Sequence, residues 1–271
     1  HLIIINVIMF IGTLFIANGA FYEWFAMHFP RSESFQPWQI ITHMFMHGGA
    51  DMNNLSVMHI LFNMFALWMF GTPVEQVLGS KRFLFIYISA GLGAVAMQLG
   101  YYYFDYYPLI NNISELGFSS DVIKQLVNFD IVDYSINGDG FFSKEIFQEK
   151  LFPLLANNNL EASLINQNSF DNLYEMNVIV NNSTMVGASG CIMGILAAFG
   201  MMNPEAKLMM IFLPIPIKAK YFVGIYAAME LYLGIQNNPG DNIAHFAHLG
   251  GALFGFILVR YWNKNNRKSF Y

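Results

Sequence analysis

Six stretches of this chain are apolar for long enough to approach the ~30 Å hydrocarbon thickness of a bilayer: residues 2–20, 57–78, 83–104, 185–202, 221–235 and 243–262. Only 11% of the 271 residues are charged, where a soluble domain carries roughly a quarter, so the stretches read as membrane spans. Several hold closely spaced glycines and few ionisable groups, as bundle helices do when their backbones approach closely. No internal repeat is evident. The expectation is an all-α, polytopic bundle of six helices. The single Cys191 excludes a disulfide framework within the chain. An apolar run follows directly on His1, so a further N-terminal piece is expected; neither a basic flank nor a small-residue cleavage site marks a signal peptide.

Between the third and fourth stretches lies a polar, Asn-rich segment, 105–182, carrying eleven acidic residues against Lys124, Lys144 and Lys150. It divides the chain into a first membrane part, 1–104, an acidic insertion, and a second membrane part, 183–271. Apolar spacing over 141–155 is helix-like, which predicts a small folded insertion. Basic residues near span ends are retained on the cytoplasmic side. Lys81, Arg82, Lys207, Lys218, Lys220, Arg260, Lys264, Arg267 and Lys268 all fall on one side if both chain ends are cytoplasmic. The insertion is then extracytoplasmic, and the expected location is the bacterial inner membrane.

Polar groups inside spans are costly and point to function. Here they are His59 and Asn63 in the second span, Gly187-Ala188-Ser189-Gly190 opening the fourth, Glu230 in the fifth, and His245 and His248 in the sixth. The second, fourth and sixth spans all enter from the outer face, and their polar groups sit within about two turns of those entries. At ~1.5 Å per residue they share one depth. His59 and Asn63, four apart, project from one helix face. Ser189 stands at a helix start, where backbone N–H groups are unpaired and the dipole favours an anion. Gly187, Gly190 and Gly194 near the serine, and Gly251 and Gly255 beyond His248, form smooth faces that would bring Ser189 Oγ to the His248 imidazole. A Ser/His nucleophile pair needs that geometry.

Each motif alone has a plainer reading. GASG with a further glycine is a common helix-packing motif, and His59 with Asn63 could be inter-helix glue. His43, His47, His59, His245 and His248 could suggest a metal, but the H-E-x-x-H string of an intramembrane metalloprotease is absent. His47 reads as a residue bonding loop backbone. No metal, cofactor or nucleic-acid partner is expected.

Together these residues resemble the rhomboid proteases in order and spacing. The likeness rests on His59-x-x-x-Asn63, Gly187-Ala188-Ser189-Gly190 and Ala247-His248-Leu249-Gly250-Gly251 with Gly255. It extends to the loop 42–49 and to 67–85, LWMFGTPVEQVLGSKRFLF. The resemblance implies a six-helix rhomboid-like bundle with Ser189 as nucleophile and His248 as general base, without a third member. It also implies an oxyanion hole of His59, Asn63 and the Ser189 N–H, and transmembrane protein substrates admitted past a mobile fifth span. Three features differ from many members. Trp38-Gln39 stands where they have Trp-Arg, Met193 stands where an aromatic often stacks on the catalytic imidazole, and the insertion is long. Two other classes compete: a catalytically inactive rhomboid-like module that binds membrane proteins, and a small transporter with His248, Glu230 and Asn63 along a path. The second predicts repeated halves, which the sequence lacks.

Overall fold

The computed structural model describes residues 1–16, 20–48, 56–113, 116–134, 140–210, 213–236 and 243–265. Gly49, Arg267 and Lys268 lie outside them. The described chain is mostly helical. In order come α1 (Leu2–Phe15), α2 (Ala20–Phe25), α3 (Gln39–Thr42) with a 3-10 turn over His43–Phe45, α4 (Ser56–Leu78) and α5 (Ser80–Ile113). Then follow α6 (Ser120–Val127), the strands β1 (Val132–Asp133) and β2 (Phe141–Phe142), α7 (Lys144–Asn157) and α8 (Gln167–Asn182). The chain ends with α9 (Ser189–Met202), β3 (Lys207–Met210), β4 (Leu213–Lys218), α10 (Ala219–Gln236) and α11 (His245–Asn265). Both strand pairs are antiparallel hairpins. Among the described residues, 57–78 of α4 and all of α5 are long and apolar enough to cross a membrane, while α1 and α9 are apolar but shorter.

Two compact units result. The first comprises residues 1–27, 37–99 and 185–271, the second 28–36 and 100–184. In the first, α4 and α9 pack through Leu67, Phe70, Ile195 and Phe199, with the Phe70 and Phe199 rings 5.3 Å apart. Gly79, at φ +77°, makes the turn from α4 to α5, a conformation that favours glycine. Ser80 Oγ there donates to Glu75 Oε1 at 2.6 Å.

The second unit uses soluble-protein chemistry. Ser119, Ser143 and Asn166 cap α6, α7 and α8 by accepting from Val122, Ile146 and Ser169 N–H. Phe147 is fully buried among Phe129, Phe170 and Tyr174. Buried Asn177 donates to the Leu126 and Phe129 carbonyls at 2.8 and 3.0 Å, satisfying backbone acceptors that water cannot reach. The asparagines of this segment thus serve as caps and backbone braces.

Among the boundaries that differ from the hydropathy reading, two have a visible cause. The third apolar stretch ends at 104, yet α5 continues to Ile113, because its later turns bury Tyr106 and Ile113 and set Tyr106 against Phe29 at 5.3 Å. The fourth begins at 185, yet α9 begins at Ser189, because residues 185–187 are drawn into extended pairing.

Candidate active site

The segment before α9 is pinned on two sides. Met27 and Met185 exchange both backbone hydrogen bonds at 2.9 and 2.8 Å, and Gly187 N donates to the His43 carbonyl at 3.0 Å. Gly187 then turns at φ +122°, where a side chain would be strained, and Ser189 opens the helix. The first described helical bond in α9 from this end runs from Ile192 N to Ala188 O. The N–H groups of the first turn therefore stay available to an anion beside the serine. A small cavity lies here, lined by His43, Ala94, Met185, Gly187, Ser189 and Ala247 among others.

The glycines of α9 and α11 interlock. A Cβ on Gly251 would collide with the Gly190 carbonyl, and one on Gly255 with the Gly194 carbonyl. On the far side of α9, Gly190 and Gly194 press on Ala94 and Ala90 of α5, while Gly93 meets Gly250 and Phe254 of α11. Three backbones are thus in near-direct contact, the close approach that small residues permit in membrane helices. Ala247 O would stand 3.6 Å from a Cβ on Gly190, so the chain neighbours of Ser189 and His248 meet. Gly187 takes no part in this seam; its role is the turn. The N-terminus of α11 is held by buried Gln98, whose Oε1 accepts from Ala247 N at 3.1 Å.

His59 reaches the same place from α4. A Cβ on Gly187 would lie 3.4 Å from His59 Nε2 and 3.5 Å from Ser189 Oγ, which puts imidazole and hydroxyl within about 7 Å of each other. His59 and His248 are close enough to interact electrostatically. Asn63, buried one turn along, donates from Nδ2 to the His59 carbonyl at 3.0 Å, leaving its second amide hydrogen free of that bond. His47 packs its ring against His59, centroids 5.3 Å apart. Its ring nitrogens have no well-aligned hydrogen-bond partner among the described residues, and the backbone of Phe45 in the same loop is the polar group that acts on the ring. Burial, with His59 adding to it, pushes the His47 pKa down to about 3. His43, buried with Nδ1 2.9 Å from the Gln39 carbonyl, is pushed down by burial to about 4.

On the other side of α11, Glu230 of α10 is buried between two histidines. His245 Nδ1 is 2.6 Å from Oε2 and His248 Nδ1 is 3.0 Å from Oε1. Among the described residues no group of His, Cys, Asp and Glu is arranged to hold a metal.

Gln39 answers the question raised by Trp38-Gln39. Fully buried, it donates from Nε2 to the Glu23 and Trp24 carbonyls at 3.1 and 3.4 Å, while Trp38 Nε1 donates to Trp24 O at 2.8 Å. A neutral amide braces the end of α2. Met193 is buried on α9. Sequence reasoning did not foresee the α5 share of the seam, Gln98 or the Glu230 contacts. The closely spaced Ala90, Gly91, Gly93 and Ala94, and a carboxylate inside an apolar span, were the available signals.

The Rhomboid domain model matches residues 34–123 and 162–264. The chain belongs to the rhomboid family, whose members are embedded in membranes. It is 34% identical over 86 residues to the rhomboid protease GlpG of Salmonella paratyphi A, of Salmonella typhi and of Salmonella newport. The match covers 32% of this chain and 29% of each relative, so the chain spans under a third of the length of the curated relatives it matches.

Proposed function

We propose that this chain is an intramembrane serine endopeptidase that cleaves transmembrane segments of membrane proteins. Ser189 Oγ attacks the peptide carbonyl, and His248 takes the hydroxyl proton and later returns it to the leaving amine. The tetrahedral oxyanion is held by the Ser189 N–H, His59 and the unused hydrogen of Asn63. The observation that carries the reading is the convergence at Gly187: Ser189 Oγ and the His59 ring border one point, at the start of a helix locked to the histidine-bearing α11 by carbonyl-deep glycine contacts.

On this reading α1, α4, α5, α9, α10 and α11 are the six spans, both ends of the chain are cytoplasmic, and residues 105–182 form an extracytoplasmic insertion in a bacterial inner-membrane protein. Exposed apolar side chains such as Ile225, Met229, Tyr232 and Ile235 on α10 then face lipid or an entering substrate. Because a general base must be neutral, activity falls in acid.

Labelling with an active-site-directed fluorophosphonate, followed by cleavage of a model transmembrane substrate, tests the reading on wild type, Ser189→Ala and His248→Ala. Labelling and cleavage that require both residues are expected. A wild type that does neither returns the choice to a non-catalytic module binding membrane segments.

A further inference from the structure

The proposed reaction leaves the carboxylate of Glu230 without a role. Glu230 is 4% exposed within an apolar helix, where a carboxylate is costly to hold unless paired. Its oxygens are divided between two histidines of α11. Oε2 bonds His245 Nδ1 at 2.6 Å, and Oε1 lies 3.0 Å from His248 Nδ1. Tyr226, one turn earlier on α10, directs its hydroxyl to the same carboxylate. The His248 contact has hydrogen-bond length but an off-line angle, a looseness that unliganded active sites commonly show before substrate tightens them.

We infer that Glu230 is a positioning residue for His248, completing a Ser189–His248–Glu230 relay; the inference rests on the serine-protease reading above. A carboxylate at Nδ1 accepts the Nδ1–H, which leaves Nε2 unprotonated and able to take a proton from Ser189. As the Oγ–C bond forms, that proton moves to Nε2, and the imidazolium is stabilised by the adjacent carboxylate, which stays ionised throughout. Collapse of the intermediate passes the Nε2 proton to the leaving amine as the peptide C–N bond breaks. His245 holds the second oxygen and keeps the carboxylate from rotating away. The dyad expected from the sequence thereby gains a third member, contributed by a helix that carries no other part of the site.

The test uses the full chain in proteoliposomes with a model transmembrane substrate, comparing wild type, Glu230→Gln, Glu230→Asp and, as a floor, Ser189→Ala. Serine-protease triads lose about 10⁴-fold when the acid becomes an amide. Glu230→Gln should lower kcat by about 100-fold or more at unchanged KM, with Glu230→Asp recovering part of the loss. A kcat within about threefold of wild type, or a loss confined to KM, overturns the assignment. ¹⁵N NMR of histidine-labelled protein in micelles, with His248 assigned by its loss in His248→Ala, reads the tautomer without any turnover. The Nδ1–H form in wild type and its loss in Glu230→Gln are expected. An Nε2–H form in wild type overturns the assignment even if Glu230→Gln does not fold. Wild type that fails to cleave counts against the protease reading, while the tautomer still decides the role of Glu230.

Discussion

α9 and α10 are both apolar helices in the same unit, yet twelve of the fourteen residues of α9 are buried and only Ala219, Glu230 and Gly234 of the eighteen in α10. α9 is the more apolar of the two, but in hydrocarbon apolarity alone does not bury a helix. What does is the placement of small residues: Gly190 and Gly194 lie a turn apart and face Gly251 and Gly255, so two backbones interlock. Gly224 on α10 meets nothing within 4 Å among the described residues. In hydrocarbon, apolar side chains gain little by leaving lipid, and close packing decides which helix is buried. The proposed nucleophile therefore stands on a helix buried along almost its whole length, and its proposed orienting acid on one that is mostly exposed.

The contrast can be broken most severely at the seam. Gly251→Val drives a side chain into the Gly190 carbonyl, and overpacking against backbone costs at least ~1–3 kcal/mol. Fluorophosphonate labelling should vanish and the protein should lose its cooperative melt; retained labelling would mean that the seam is softer than described. Next in size is Asn63→Ala, which should reduce turnover about 100 to 1000-fold, as loss of one oxyanion donor does, without lowering the melting temperature by more than a few degrees.

Acid should strike the α9 side first, since His43 and His47 stand in the loop that pins its approach. Their folded pKa values are lowered to about 4 and about 3, so between the ordinary ~6.5 and those values the unfolded chain binds more protons. Stability rises with pH across that window and falls on acidification. Melting curves from pH 7 to 4.5 should show the loss, and His43→Asn should reduce its slope. A smaller effect belongs to α10. Gly224→Ala should be neutral or stabilising by up to ~1 kcal/mol through helix propensity, and a marked drop in melting temperature would show that α10 is tightly packed after all. In the second unit, Lys144 holds the Asp171 carboxyl below its usual range from 2.6 Å. Both groups are exposed, so Lys144→Met should leave the melt unchanged.

Much of this was legible in the sequence because membranes simplify the code. Apolar length marked the helices, and the polar residues within the apolar stretches singled out His59, Ser189 and His248, which lie on helices that the fold packs together. Registers between helices were not legible. Nothing in the order of residues says that Gln98 reaches Ala247 N, or that a histidine three residues before His248 shares its acid partner. The start of α9 was misplaced because Met185 and Val186 are as apolar as the helix that follows, and only the backbone pairing of Met185 with Met27 reveals this stretch as extended. Asn-rich composition in 105–182 signalled polarity but not the capping and bracing it performs.

The brevity of α9 carries a consequence of its own. Fourteen residues rise about 21 Å, roughly 9 Å short of the hydrocarbon core. If α9 is one of the proposed spans and its inner end is level with the cytoplasmic boundary, the serine lies well below the opposite one, at a depth where a peptide bond meets almost no solvent. Hydrolysis consumes a water for every bond cut, so water has to be led down to Ser189. On the proposed reading that water passes the polar side chains gathered at the start of this short helix, His59 and Asn63 among them, and a thicker bilayer would lengthen its path.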